Sequence, residues 1–300
     1  MSKVATTRPN ARRVRARLTG LWFTVPFLVV FAFVMIAPLV YAVYLSFFQK
    51  RLVGGNTFVG VDNFVRVFTD PLFWEGVGRV SGFFVIQVPI MLILALIAAL
   101  FIDSVRLRGT RFFRIAIFLP FAVPSVVAAL MWGFIYGQRF GLVGNINDAF
   151  GTEFAVLTQD FFLAAIGNIV TWSAIGYNML ILYSSLKSIP PELYEAASLD
   201  GAGAWRTTIS IKLPYLRGAA VIALIFSVIG SFHLFNEPNL LKTLVPNLVP
   251  TYYTPNMYAY NLSFVGQQAN YAATITIVMG VITAIIAYVV QIRGNKEALQ

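Results

Sequence analysis

Six long apolar runs alternate with polar segments along this chain. They are Leu21 to Phe48, Val80 to Ile102, Phe112 to Tyr136, Phe162 to Leu186, Gly218 to Phe235 and Tyr271 to Ile292. A helix rises 1.5 Å per residue, and the hydrocarbon core of a bilayer is about 30 Å thick, so about 20 apolar residues cross it. The fifth run is the shortest, and Ser231, His233 and Asn236 dilute its end. The pattern predicts an all-α integral membrane protein of six transmembrane helices. The first run is longer than the roughly 7–15-residue apolar core of a signal peptide, and no small-x-small site follows it, so it reads as a retained span.

Composition agrees. Of 300 residues, 58% are hydrophobic and 11% charged, where a soluble domain carries about 25% charged residues. Basic residues then set the orientation, because cytoplasmic loops accumulate Lys and Arg. Lys3, Arg8, Arg12, Arg13, Arg15 and Arg17 precede the first span. Arg106, Arg108, Arg111 and Arg114 follow the second, and Lys187, Arg206, Lys212 and Arg217 follow the fourth. Arg293 and Lys296 follow the sixth. The opposite side holds only Lys50, Arg51, Arg66, Arg79, Arg139 and Lys242. Both termini are expected in the cytoplasm. The net charge of +10 is a topology signal rather than a nucleic-acid footprint, since the basic tail abuts a span. The expected organisation is a basic tail (1–20), a first helix with its outer loop (21–79), a core of five helices (80–292) carrying an inner loop (188–214), and a tail (293–300).

Prolines punctuate the spans at Pro26, Pro38, Pro89, Pro120 and Pro124. Each removes a backbone donor and tends to kink a helix. Pro120 and Pro124, one turn apart, predict a bent third span. Outside the spans, Asp62 or Asp70 is placed to cap a short surface helix. Pro238, Pro246, Pro250 and Pro255 argue against a continuous helix from Asn236 to Asn270. Tyr252, Tyr253, Tyr258 and Tyr260 fit an interfacial belt.

The inner loop, Ser188 to Pro214, is the most informative segment. Pro190 and Pro191 suit a first helical turn, and Glu192 and Glu195 lie where the helix dipole favours acids. Leu193, Ala196, Ala197 and Leu199 give an apolar side. Gly201 suits the left-handed position that ends a helix. A second helix is expected from Ala204 to Ile211, with Pro214 forcing the exit to the next span. A flexible connector would be rich in Gly, Ser and charge; this composition predicts a stiff helical hairpin.

Glu195-Ala196-Ala197, then three residues, Gly201, nine residues and Ile211-x-Leu213-Pro214 resembles the EAA loop of permease subunits in binding-protein-dependent ABC importers. Tyr194 and Asp200 are similar to the sugar-uptake branch, as are Phe118-Leu119-Pro120, Pro124, Trp132, Gly141, Asn145 and the stretch Phe232 to Leu241. The likeness runs from the first span to the last and points to maltose-, lactose- and glycerol-3-phosphate-type permeases of type I importers. It implies a multi-pass protein of a bacterial or archaeal cytoplasmic membrane. It also implies pairing with a second, homologous permease subunit, two cytoplasmic ATP-binding subunits and an extracytoplasmic solute-binding protein. ATP and Mg would sit on the ATPase subunits, with no cofactor on this chain. Glu195, Ala196, Ala197, Asp200, Gly201, Leu213 and Pro214 would be the ATPase-coupling residues.

Polar side chains inside spans are costly and tend to face the bundle or a water-filled path. The fourth span holds Asn168, Thr171, Trp172, Ser173, Tyr177 and Asn178. Asn168 and Asn178 are ten residues apart, close to three turns, so both reach one side. Asn168, Trp172, Tyr177 and Asn178, with Gln87 from the second span and Ser227 and Ser231 from the fifth, are the candidate substrate path; amide, hydroxyl and aromatic surfaces suit a neutral sugar. Interhelical hydrogen bonding is the alternative role for each. His233, the single histidine, reads as a hydrogen-bonding group, and Glu237 as an ion-pair or loop contact. The chain lacks GxxxxGK[ST], so it does not itself hold nucleotide by that loop, and zero cysteines exclude thiolate chemistry. Two rivals stay open: an anionic or small-solute cargo such as glycerol-3-phosphate, and an integral membrane transferase. The transferase would need paired acids at the membrane face, where only Glu192 and Glu195 are near each other.

Overall fold

A computed structural model describes residues 22–51, 55–104 and 109–298. The arginines and lysine of the N-terminal tail, Arg106, Arg108 and the tail beyond 298 lie outside the described residues.

Five described helices are long and apolar enough to cross a bilayer: Trp22–Ser46, Pro71–Asp103, Phe162–Leu186, Arg217–Leu241 and Ala269–Gly294. We call them spans one, two, four, five and six. The expected third span is a broken pair, Thr110–Ala122 and Ser125–Ile135, bent by 98°. Pro120 starts a short 3₁₀ turn (Leu119–Ala122), and Val123 is extended, with ψ of 125°. A residue before proline is driven out of the helical region, so Pro124 turns the expected bend into a break. Gly176 of span four lies against it. A Cβ there would strike the Ile117 carbonyl and come within 2.6 Å of the Phe118 Cα. Small residues let membrane helices approach this closely.

Span two begins at Pro71, nine residues before the apolar run, so a boundary at residue 80 falls inside a continuous helix. Its first turns are polar: Glu75 and Arg79 pair at 2.5 Å, one turn apart. Asp70 caps this span itself, accepting from the Leu72 N–H at 3.0 Å; Asp62 instead opens the surface helix Asp62–Thr69 without capping it. Pro89 does not interrupt the helix. In span one the π turn Ala32–Ile36 precedes Pro38, and the Ala37 N–H reaches back to the Ala32 carbonyl. Widening the helix there accommodates the missing donor. One exception to the all-helical expectation follows span one: Phe48–Arg51 pairs antiparallel with Gly55–Phe58, Phe48 opposite Phe58.

Three buried clusters run along the bundle. Val80, Phe232, Ile275 and Met279 join spans two, five and six. Ala128, Ile166, Ile169 and Met257 join the broken third span and span four to the helix Pro255–Phe264. Ala95, Ala99, Met179, Leu186 and Leu216 join spans two and four to the start of span five. Lipid is as apolar as these side chains, so close packing rather than escape from water holds them together. Span one, by contrast, has an apolar stretch with 0% buried residues. The segment Asn236 to Asn270 is interrupted, as its prolines predict, into helices Asn236–Leu241 and Pro255–Phe264.

Candidate functional site

The hairpin from Ser188 to Pro214 is built by its end signals. Pro190 is extended and Pro191 opens the helix Pro191–Leu199, with Glu192 in its first turn. Gly201 adopts φ +72°. The Ala202 N–H donates to the Ala197 carbonyl at 2.8 Å and the Gly201 N–H to the Ser198 carbonyl at 3.1 Å. This bond pair is the Schellman stop, which needs a left-handed residue. The second arm departs from expectation. Ala204–Thr207 leads into a π turn, Thr208–Lys212, and then a further helical turn, Leu213–Tyr215. The Leu213 N–H reaches back to the Thr208 carbonyl. The backbone therefore stays helical across Pro214 instead of exiting there.

Leu193, Ala196, Ala197, Asp200, Arg206 and Ile211 line a groove of about 300 Å³ between the arms. Glu195 and Gly201 are exposed, Leu213 is half-buried and Pro214 is exposed. At the tip Leu199 is 89% and Trp205 78% exposed. Two large apolar side chains are therefore bared on either side of the turn. Leu199 was read from sequence as part of the hairpin's apolar side, whereas Trp205 was not singled out; a Trp just after a Gly-rich turn was the available signal.

A second feature was also missed. Asp103, the last residue of span two, accepts from Lys187 Nζ at 2.9 Å and Lys212 Nζ at 2.6 Å. Its side chain is 8% exposed. Tyr194 of the hairpin lies beside this cluster, its ring 5.7 Å from Lys212 Nζ. Burial pushes the Tyr194 hydroxyl above its ordinary value. The hydrogen bond that Lys187 donates to Asp103 lifts Lys187 above its own.

The polar residues of the spans fall into separate groups. Gln87 Nε2 donates to Thr171 Oγ1 at 3.1 Å. Asn178 Nδ2 donates to the Ala174 carbonyl at 3.1 Å. Both are buried between spans two and four beside Met91, and Gln87 Oε1 and Asn178 Oδ1 have no partner among the described residues. Asn168 is elsewhere: its Nδ2 donates to the Tyr136 hydroxyl at 2.8 Å, which in turn donates to the Ala165 carbonyl. Trp172 meets Trp132 edge-on at 6.0 Å, and Trp132 Nε1 is buried without a partner among the described residues. Tyr177 stacks on Phe121 at 4.8 Å and meets Phe226. Ser227 and Ser231 are buried in span five, Ser227 donating to the Ala223 carbonyl. His233 contacts the Ile229 carbonyl through Nδ1 at 2.8 Å. Glu237 opens the helix Asn236–Leu241 and has no ion-pair partner among the described residues, which leaves the loop contact of the two expected roles.

Residues 91–293 match the family model described as "Binding-protein-dependent transport system inner membrane component". The chain belongs to this family. It is therefore an inner-membrane permease subunit and not an enzyme. It is 30% identical to the lactose transport system permease protein LacF of Rhizobium radiobacter, over 95% of this chain and 97% of that one. It is 31% identical to the diacetylchitobiose uptake system permease protein NgcF of Streptomyces coelicolor, over 94% of this chain and 86% of that one. The fold is shared with a chain of a bacterial ABC transporter involved in the import of the acidic polysaccharide alginate. The TM-score is 0.83 at 19% identity, over 95% of this chain and 98% of that one.

Proposed function

We propose that this permease subunit carries a sugar or oligosaccharide inward in an ATP-driven importer, with both termini in the cytoplasm. The observation that carries the reading is the inner hairpin: stiffened by Pro191 and the Gly201 turn, it bares Leu199 and Trp205 beside a small-residue groove. This is a surface for a soluble partner, and a cytoplasmic ATPase subunit is the partner the family provides. Glu195 serves as its charged anchor, and Ala196 and Ala197 as the close-packing face. Asp200 and Gly201 form the turn, while Leu213 and Pro214 form the second arm. Two such ATPases close on ATP and tilt the hairpins of this chain and of a second permease. A solute-binding protein delivers cargo on the other side. The exposed face of span one leaves room for the second permease.

The names of the relatives, lactose and diacetylchitobiose permeases, support a carbohydrate cargo. So does the set of amide, hydroxyl and aromatic groups proposed as its path: Asn168, Trp172, Tyr177, Asn178, Ser227, Ser231 and Gln87. A phosphorylated polyol is the second reading, favoured by 32% identity over 180 residues to the sn-glycerol-3-phosphate permease UgpA of Escherichia coli.

Glu195→Lys and Gly201→Asp are expected to insert normally while uptake falls to background and ATP hydrolysis loses its dependence on transport. A side chain at φ +72° strains the turn, and the lysine reverses the anchor's charge. Wild-type uptake in both variants refutes the reading. Binding of the partner solute-binding protein to a panel of sugars plus glycerol-3-phosphate identifies the cargo.

A further inference from the structure

The hairpin does more than present a surface; beside the apolar packing of Tyr194 and Ile211, both of its feet are ion-paired to one acidic side chain of the bundle. Asp103 stands at the C-terminal end of span two. Free carbonyls and the negative end of the dipole make that a poor place for a carboxylate. With its side chain 8% exposed, it is also largely withdrawn from water, and an unpaired charge there is costly. Two lysines answer it from opposite feet of the hairpin. Lys187 closes span four where the chain enters the hairpin, and Lys212 stands where the chain leaves it. Lys212 is the tighter of the two, at 2.6 Å and 15% exposed, against 2.9 Å and 55% for Lys187. The Tyr215 hydroxyl donates to the Ser188 carbonyl at 3.2 Å and draws the same two feet together.

The two ends of the hairpin are thus ion-paired to one point on span two. A tilt of the hairpin as a rigid unit must either break both ion pairs or carry the end of span two with it. Breaking them strands a buried carboxylate, so carrying is the cheaper course. We propose that Asp103 is a positioning residue: it latches both feet of the hairpin to span two, so that a push on the hairpin becomes a movement of span two. This rests on the transporter reading above.

The test uses the full importer, reconstituted with the chains that co-purify. The chain has no cysteine, so spin labels on cysteines placed at exposed Ser104 and Ser198 report how firmly the hairpin sits on span two. In Asp103→Asn, ATP hydrolysis should persist while uptake per ATP falls about tenfold, the order of a one-contact coupling energy. The label distance distribution should broaden, and Asp103→Glu should recover both readouts. Unchanged uptake per ATP in Asp103→Asn overturns the latch. Lost uptake with an unchanged distance distribution overturns it too, because the hairpin's seat is then not what failed. Should Asp103→Asn fail to insert, Lys212→Met and Lys187→Met each leave Asp103 one partner. The latch then predicts impaired coupling in both, greater for Lys212, and wild-type coupling in both overturns it. A wild-type chain that recruits no ATPase sinks the transporter reading instead, while the label distances still decide the latch on the chain itself.

Discussion

Span two carries an aspartate at each end, and the two are held by opposite means. Asp70, at the N-terminus, follows the local rules of a helix start. It caps the Leu72 N–H, sits at the positive end of the dipole and is reinforced by the Tyr271 and Tyr258 hydroxyls at 2.6 and 2.8 Å. Arg66 lies over the Tyr271 ring at 3.8 Å. Asp103, at the C-terminus, contravenes the same rules, and among the described residues its ion-pair partners are two cations that belong to the feet of the hairpin. The first arrangement would survive any motion of neighbouring loops that leaves the two tyrosines in place. The second ties the helix end to the segment proposed to move. One end of the helix is pinned, and the other is linked.

The largest way to break this contrast is Asp70→Ala. It removes a cap worth about 1 kcal/mol and two hydrogen bonds to a charged acceptor worth about 1.5 kcal/mol each. Exposure and relaxation trim the total, so we expect a loss of about 3 kcal/mol, read as a lower unfolding midpoint in detergent. Uptake per ATP should be unchanged in the folded fraction. A change in coupling without a change in stability would mean that Asp70 is also a link.

The inner end should show the reverse pattern. Replacing all three charges together, as Asp103→Leu with Lys187→Met and Lys212→Met, trades a buried ion cluster for apolar packing. Such exchanges are neutral or stabilising by about 1 kcal/mol or more. The unfolding midpoint should therefore hold or rise, while uptake per ATP falls as it does for Asp103→Asn. A triple variant that couples normally would show that apolar packing links the hairpin as well as charge does, and the contrast between the ends would lose its functional meaning.

How much of this was legible beforehand follows the range of each signal. Five spans read directly from hydropathy. So did the Gly201 stop and the Pro191 start, because caps are written within a few residues. The start of span two was not legible, since its first turns carry Glu75 and Arg79, whose pairing one turn apart hides a helix inside a polar stretch. Pro120 and Pro124 announced a disturbance, but only the packing of Gly176 against it shows how sharp it is. Pro214 was expected to stop the hairpin's second arm, and the π turn before it absorbs the defect instead. Asp103 was invisible as a site: Lys212 lies 109 residues away, and no local pattern joins them. Among the path candidates, helical spacing placed Asn168 and Asn178 on one side, yet they bond to different neighbours.

The finest test of the contrast is pH. Burial works to raise the Asp70 carboxyl, but the Tyr271 and Tyr258 hydroxyls and the Leu72 and Phe73 N–H groups outweigh it and hold the group below its ordinary 3.8. A carboxyl depressed by folding contributes stability that is full above its ordinary value and is lost as pH falls through its folded one. Lys187 has the opposite sign. The Asp103 hydrogen bond outweighs burial and lifts it above 10.5, so its contribution is full below that value and is lost as pH rises through the folded one. Between about pH 5 and 9 neither contribution should change. Below about pH 4 the outer pin should loosen, seen as faster hydrogen exchange in the helix Pro255–Phe264, which carries Tyr258. At strongly alkaline pH the label distance between residues 104 and 198 should broaden as Lys187 discharges. Exchange that already accelerates in Pro255–Phe264 at neutral pH would contradict the assignment of Asp70 as the pinned end, because no group credited with holding it titrates there.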